Sequence, residues 1–229
     1  MFVSAIIVAA GGSTRMGTSD SKQFIPLHGR PVIEYTLRAF QICPLIREII
    51  VVSREQDVQR IFRLAEDNGF DKVKAVVKGG SCRAESVKNG IQAANKEAQY
   101  LAIHDGARPL ITVSDIKAVC EAAFESGAAT LGTAVTDTIK IVDSADVIQT
   151  TPVRNTLRAV QTPQVFEKEM YTFALDNAVS LESVTDDCSL IEQMHGEVQV
   201  VEGSRENIKL TTPIDIILAE SILNKRTSV

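Results

Sequence analysis

Short apolar runs alternate with amphipathic stretches through the first 135 residues. Residues 3–8 and 48–52 are dominated by apolar and β-branched side chains, the pattern of strands buried on both faces. Residues 73–77, 100–103 and 130–135 continue it less purely. The stretches between them read as helices. Pro31 opens one through Phe40 from the first-turn position, where its missing N–H costs nothing. Ser53 and Gln56 form a capping-box pattern for a second, which Gly69 ends. Thr112 with Asp115 starts a third, closed by Gly127. This alternation predicts a mostly parallel sheet flanked by helices, with ligands bound at the carboxyl ends of the strands. The loops after residues 8, 52, 77 and 103 are therefore the places to look.

The rhythm changes near residue 136. Residues 138–142 and 147–150 are short β-rich runs separated by the turn-like Asp143-Ser144-Ala145-Asp146, and the polar stretch 152–158 follows. This hairpin reads either as an arm projecting from the domain or as one folded on its own sheet. Helical patterns return at 167–178, 186–194 and 213–223, with a strand at 197–201. Thr185-Asp186-Asp187 reads as a helix start, Thr185 capping and the carboxylates in the positive first turn. The expected organisation is one domain over 1–229, with an arm at 137–158.

Composition narrows the class without changing this picture. The chain has 229 residues, 45% hydrophobic and 23% charged, which are ordinary globular values. A chain of this size buries about 70% of its unfolded surface and needs no disulfide or metal to hold it. The net charge of −5 argues against nucleic acid as a main partner. Cys43, Cys82, Cys120 and Cys188 make neither a CxxC pair nor a compact disulfide framework. No apolar run nears the ~20 residues of a membrane span, and no basic leader precedes the first one. The expectation is a soluble, cytoplasmic protein without membrane or nucleic-acid partners.

Three loops carry candidate chemistry. Directly after the first run comes Ala9-Ala10-Gly11-Gly12-Ser13-Thr14-Arg15-Met16-Gly17. A glycine turn there lets backbone N–H groups approach a phosphate. The dinucleotide fingerprint fails because Ser13 replaces its second glycine, and a P-loop fails because Thr18 stands where its lysine belongs. Instead Arg15 and Lys22 flank the turn, two cations suited to a triphosphate. The second loop, Gly79-Gly80-Ser81-Cys82-Arg83-Ala84-Glu85-Ser86, either reads a base edge or is a helix start capped by Ser81. In the third, His104-Asp105-Gly106-Ala107-Arg108-Pro109, Asp105 either meets a ribose hydroxyl or Mg²⁺ or pairs with Arg108. His104 reads as structural.

These loops, with Asp137-Thr138, Gln161-Thr162-Pro163-Gln164, Thr185-Asp186 and Glu206-Asn207-Ile208-Lys209, occur in one order. In this the chain resembles the 2-C-methyl-D-erythritol 4-phosphate cytidylyltransferase family of the non-mevalonate isoprenoid pathway. The resemblance implies a Rossmann-like nucleotidyltransferase fold, a β-arm that interlocks two subunits, and the substrates CTP and a sugar or polyol phosphate, with Mg²⁺ or another divalent cation. It further implies that Arg15 and Lys22 stabilise the triphosphate. Arg154, from the partner's arm, and Lys209 hold the sugar phosphate, and Thr138 and Thr162 line its site. Ala9, Ala10, Gly11, Gly12, Gly80, Ser81, Arg83 and Ser86 surround the nucleotide, and Asp105 lies by the ribose and metal. Two positions depart from the family pattern: Ser13 stands for a glycine and Arg158 for an aromatic.

A phosphate-monoester acceptor is mostly a dianion at pH 7 and needs no general base, which matches the lack of a catalytic His or carboxylate pair. A relative acting on ribitol 5-phosphate shares most of these motifs. A nicotinamide oxidoreductase would need the missing fingerprint, and an inactive nucleotide-binding regulator would not need every charged position filled.

Overall fold

The computed structural model describes residues 1–12, 21–182 and 184–227. Its centre is a seven-stranded sheet in the order β11-β7-β10-β6-β1-β4-β5. The first strands are β1 (Val3–Val8), β4 (Ile46–Ser53), β5 (Val73–Lys78), β6 (Tyr100–Asp105) and β7 (Ala128–Ala134). β1 pairs in parallel with β4 and β6, β4 with β5, and β7 with β11 (Gln199–Glu202). In β1, Val3, Ala5 and Ile7 enter one core and Ile6 the other, the alternation that a strand buried on both faces requires. Helices α1 (Val32–Ile42), α2 (Val58–Asp67) and α4 (Val113–Ser126) close the first core. Helices α3 (Arg83–Ala93), α5 (Lys168–Asp176) and α6 (Cys188–Gln193) close the second. A third cluster joins α7 (Pro213–Thr227) to the small hairpin of β2 (Pro26–Leu27) and β3 (Arg30–Pro31) through Leu27, Val32, Leu210 and Ala219.

Several expected boundaries hold. Thr112 accepts from the Asp115 N–H, and Gly127 closes α4 at φ +82°, a conformation that glycine adopts without strain. Others move. Pro31 caps α1 instead of opening its first turn. Ser53 caps no helix: it ends β4, pairs in register with Lys78, and its hydroxyl donates to the Arg54 carbonyl. A short 3-10 turn, Glu55–Asp57, precedes α2 instead.

The principal surprise is β10 (Arg158–Glu167), which runs antiparallel between β6 and β7. Its first half is polar and it contains Pro163, both of which argue against a central strand. The pairing with β7 shifts register between Val160 and Gln164, so Gln161, Thr162 and Pro163 leave that ladder. Beyond the shift, Val165 and Phe166 are fully buried. The helix start at Thr185 is also displaced. Asp186 Oδ1 accepts from the Ser189 N–H, whereas Asp187 turns into the core ahead of α6.

Candidate active site

The carboxyl ends of β1, β5 and β6 meet at a cleft of about 270 Å³. Val8, Ala10, Gly11 and Gly12 form one wall; Gly80, Ser81, Cys82 and Ser86 form the opposite one. Lys22, Arg83, Asp105 and Lys209 add charge. The Gly-rich and Gly79–Ser86 loops thus face each other, as their positions after parallel strands require. Ala9 is buried behind this wall, its N–H donating to the Val52 carbonyl. Residues 13–20, Arg15 among them, lie outside the described residues.

The second loop begins where α3 does. Cys82 is the N-cap, its Sγ accepting from the Glu85 N–H, while Glu85 accepts from both the N–H and the hydroxyl of Ser81. Ser81 therefore caps nothing. Ser86 accepts from the Gly80 N–H and donates to the Cys82 carbonyl, which leaves its oxygen one acceptor position. Gly79 is obligatory for a steric reason. A Cβ there would lie 2.5 Å from the Ala10 Cβ and 2.9 Å from the Ser86 Oγ.

Charge concentrates on Asp105. Lys209 Nζ lies 2.8 Å from its Oδ2, Arg83 Nε 3.6 Å from its Oδ1, and Arg108 Nε 3.7 Å from its Oδ2. Burial alone would raise the carboxyl pKa. Lys209, then Arg83, overrule burial and hold it well below the usual carboxylate range. The Arg108 pairing considered from sequence is thus one of three. Lys22 Nζ donates to the Leu210 carbonyl at 3.0 Å, which sets it beside the Lys209 segment.

Behind Asp105 opens a second cleft of about 320 Å³, lined by Gln161, Thr162, Gln164, Thr185, Asp186 and Arg108. Arg83, Asp105 and Lys209 border both clefts. A ring of hydrogen bonds shapes this second site. The Asp105 N–H donates to Thr162 Oγ1, and that hydroxyl lies 3.0 Å from His104 Nδ1. His104 Nε2 faces the Arg108 carbonyl, and Arg108 Nη1 donates to the Asn207 carbonyl at 2.7 Å. Asn207 Nδ2 returns to the Thr162 carbonyl. The Arg108 carbonyl can only accept, so in the neutral imidazole Nε2 carries the proton and Nδ1 accepts from the Thr162 hydroxyl. Burial pushes the imidazole pKa down to about 3, so His104 is neutral in this ring. It is structural, as expected, but it orders the site.

Thr138 and Arg154 line neither cleft of their own chain. They flank the hairpin of β8 (Ile141–Val142) and β9 (Ile148–Thr150), which forms a separate two-stranded sheet. Both residues are exposed, and Arg154 Nη1 donates to the Thr136 carbonyl. The two strands of the hairpin pair with each other and with neither edge of the main sheet.

Among the described residues, no group of three or more His, Cys, Asp and Glu side chains could cage a metal ion. Asp105 is the one carboxylate among the described residues that line the first cleft. That donor set fits a Mg²⁺ held mainly by substrate phosphates and water, which needs only one or two protein carboxylates.

The family model for IspD, 2-C-methyl-D-erythritol 4-phosphate cytidylyltransferase, matches residues 3–225. The chain belongs to this family. A cytidylyltransferase of that name from Caldanaerobacter subterraneus subsp. tengcongensis is 44% identical over 227 residues, covering 98% of this chain and all of its own. The structure of 4-diphosphocytidyl-2C-methyl-D-erythritol synthase from Anaerococcus prevotii superposes with a TM-score of 0.87 at 33% identity, covering 97% of this chain and 98% of that one. The 2-C-methyl-D-erythritol 4-phosphate cytidylyltransferase from Thermus thermophilus gives 0.75 at 28% identity, over 96% and 98%. The cytidylyltransferase fold, with its mostly parallel sheet between helices, is the one described above. No described helix is long and apolar enough to cross a membrane.

Sequence reasoning did not single out Gly79, Asn207, Tyr171 or Asp187. Gly79 sits in a motif that was recognised, so its loop pointed to it. Asp187 was visible as a carboxylate but not as a buried one. Asn207 lies inside the Glu206–Lys209 motif, whereas nothing in the local pattern marks Tyr171.

Proposed function

We propose that the paired clefts transfer a cytidylyl group from CTP to 2-C-methyl-D-erythritol 4-phosphate, giving 4-diphosphocytidyl-2-C-methyl-D-erythritol and pyrophosphate. The observation that carries this assignment is the Arg83–Asp105–Lys209 cluster, which borders both clefts. A nucleotide in the glycine-walled cleft and a phosphate in the Thr162 cleft would meet across it.

In this reading Ala10, Gly11, Gly12, Gly80 and Ser81 present backbone around the nucleotide, Ala9 supports their wall from behind, and Ser86 offers its remaining acceptor position. An oxygen of the acceptor phosphate forms a bond to the α-phosphorus. The bond from that phosphorus to the bridging oxygen breaks, and pyrophosphate leaves with the electron pair. No proton has to move, so the task of the protein is positioning and charge neutralisation. Lys22, together with Arg15, serves the triphosphate. Lys209 and Arg108 draw the acceptor phosphate toward Asp105, with Thr162 and Thr138 toward its hydroxyls. A Mg²⁺ held by Asp105 and the phosphates would neutralise charge developing on the α-phosphoryl and pyrophosphate oxygens.

The reading includes a single domain over 1–229 and a homodimer in which residues 137–158 of each chain reach the other, so that Arg154 completes the partner's acceptor site. Two features support the dimer. An isolated two-stranded sheet is marginal in water, and this one exposes Ile141, Val142 and Ile148, with Val153 beside it 66% exposed. The setting is the cytoplasm, where thiols stay reduced.

The test is pyrophosphate release with CTP, UTP or ATP against methylerythritol 4-phosphate and ribitol 5-phosphate. CTP with methylerythritol phosphate should lead UTP by about tenfold or more in kcat/KM, the worth of one buried hydrogen bond. Release with ribitol phosphate only, or equal rates with ATP, would overturn the assignment.

A further inference from the structure

Arg83 opens α3 at the edge of the nucleotide cleft, but its guanidinium is also held from behind. Nη1 lies 2.7 Å from Asp187 Oδ2, and the other oxygen of Asp187 accepts from the Tyr171 hydroxyl at 2.7 Å. Both Tyr171 and Asp187 are wholly buried, on α5 and just before α6. Neither residue lines either cleft.

A buried carboxylate and guanidinium are a poor way to stabilise a core. The desolvation cost of both ions commonly offsets their attraction, and apolar side chains of similar volume do as well or better. The core on this side of the sheet already holds Leu175, Leu190 and Ile191 from α5 and α6. What the ion pair adds is location. The charge of Asp187 holds one terminal nitrogen, Nη1, of a planar cation, and the Tyr171 hydroxyl holds Asp187. The rest of the guanidinium is thereby turned toward Asp105, 3.6 Å from its Nε, and toward the cleft.

We propose that Tyr171 and Asp187 are positioning residues for the nucleotide site, acting through Arg83. Tyr171 orients Asp187, Asp187 orients the guanidinium, and the guanidinium meets CTP in a geometry that its own rotamers would not maintain. The inference rests on the placement of CTP in the first cleft.

A double-mutant cycle tests it, read as KM for CTP, KM for the acceptor and kcat, with folding followed by circular dichroism and thermal melting. Tyr171→Phe keeps the ring and removes the hydroxyl. It should raise KM for CTP about fivefold, with kcat and the acceptor KM nearly unchanged. Arg83→Lys keeps the charge and loses the fork, and should raise the same KM by at least as much. In the double variant Tyr171→Phe should add little to Arg83→Lys, because its route to the nucleotide is already gone. Asp187→Asn, which retains hydrogen-bonding capacity without the charge, goes through the same cycle and decides the matter if Tyr171→Phe proves too unstable.

Multiplying losses in both cycles would overturn the proposal and leave the CTP assignment standing. An Arg83→Lys enzyme with unaltered KM for CTP would overturn both, since the guanidinium would then not touch the nucleotide. A Tyr171→Phe enzyme with a lowered melting temperature and normal KM would reduce the chain to a packing feature.

Discussion

The ammonium of Lys209 lies 2.8 Å from the carboxylate of Asp105, at the border shared by the two clefts. Lys209 follows a loop late in the chain and Asp105 ends β6, so the pair ties that late segment to the sheet. Arg83 and Arg108 approach the same carboxylate. Asp105 thus gathers three cations, and in the proposed mechanism this is where the two polyanions meet.

Removing that anion should separate binding from turnover. Asp105→Asn makes the cleft more positive, so the dissociation constant for CTP measured without a divalent cation should stay level or fall. The cations lose their common anchor, so kcat should drop by about tenfold or more, since ~1 Å of misplacement can cost 10²-fold. A weaker CTP complex with normal kcat would refute this role.

Lys22 acts chiefly on the transition state in the proposed mechanism. Lys22→Ala should lower kcat by roughly 10²-fold or more, the size of a lost oxyanion donor, with a smaller change in CTP affinity. Single-turnover rates at saturating CTP read this directly. Normal turnover with only a raised KM would make Lys22 a binding residue.

The shared site predicts complementation. Lys22→Ala and Arg154→Ala homodimers should each be nearly inactive. In a mixed dimer both lesions fall into one site, and the second site retains both residues. Random pairing of equal amounts makes about half the dimers mixed, so about a quarter of wild-type activity should return on co-expression. If Arg154 serves its own chain, the mixture stays inactive.

Gly79→Ala forces a Cβ against Ala10, whose own Cβ cannot swing away, and against Ser86. The two walls of the nucleotide cleft must part, with a stability loss of about 1–3 kcal/mol and a KM for CTP raised about tenfold. Urea unfolding and steady-state kinetics check both. Unchanged values in the two assays would mean that the loop closes differently on CTP.

His104 gives the fold an acid sensitivity. Its pKa in the native state is about 3 against 6.5 in the unfolded chain, so between those values the unfolded state binds the extra proton. The stabilisation is complete above pH 6.5 and is lost as pH falls toward 3, at up to ~1.4 kcal/mol per pH unit. Asp105, also depressed, adds to the loss only below about pH 4. His104→Gln, which still offers Thr162 an acceptor, should therefore show a shallower fall in unfolding free energy between pH 7 and pH 5. Parallel falls in the two proteins would exclude His104 as the source.

The parallel core of the sheet and the placement of the glycine-rich loops are legible from residue pattern alone. Strands such as β1 and β4 are apolar on both faces, and Thr112 and Gly127 bound α4 through hydrogen bonds and a backbone conformation that are local to them. Gly11, Gly12 and Gly80 follow strand ends and Ser86 lies in the first turn of the helix after one, so their grouping into one cleft follows from topology. Tertiary structure decided what local pattern cannot encode. β10 is polar along half its length and carries Pro163, yet its burial comes from β6 and β7 on either side. Asp187 resembles its neighbour Asp186, and only the approach of Arg83 and Tyr171 from distant helices makes it a buried anion. The three cations on Asp105 come from positions 83, 108 and 209, a spacing with no period. Ion pairs of that kind depend on where chain segments cross, and crossing is a property of the packed sheet and helices.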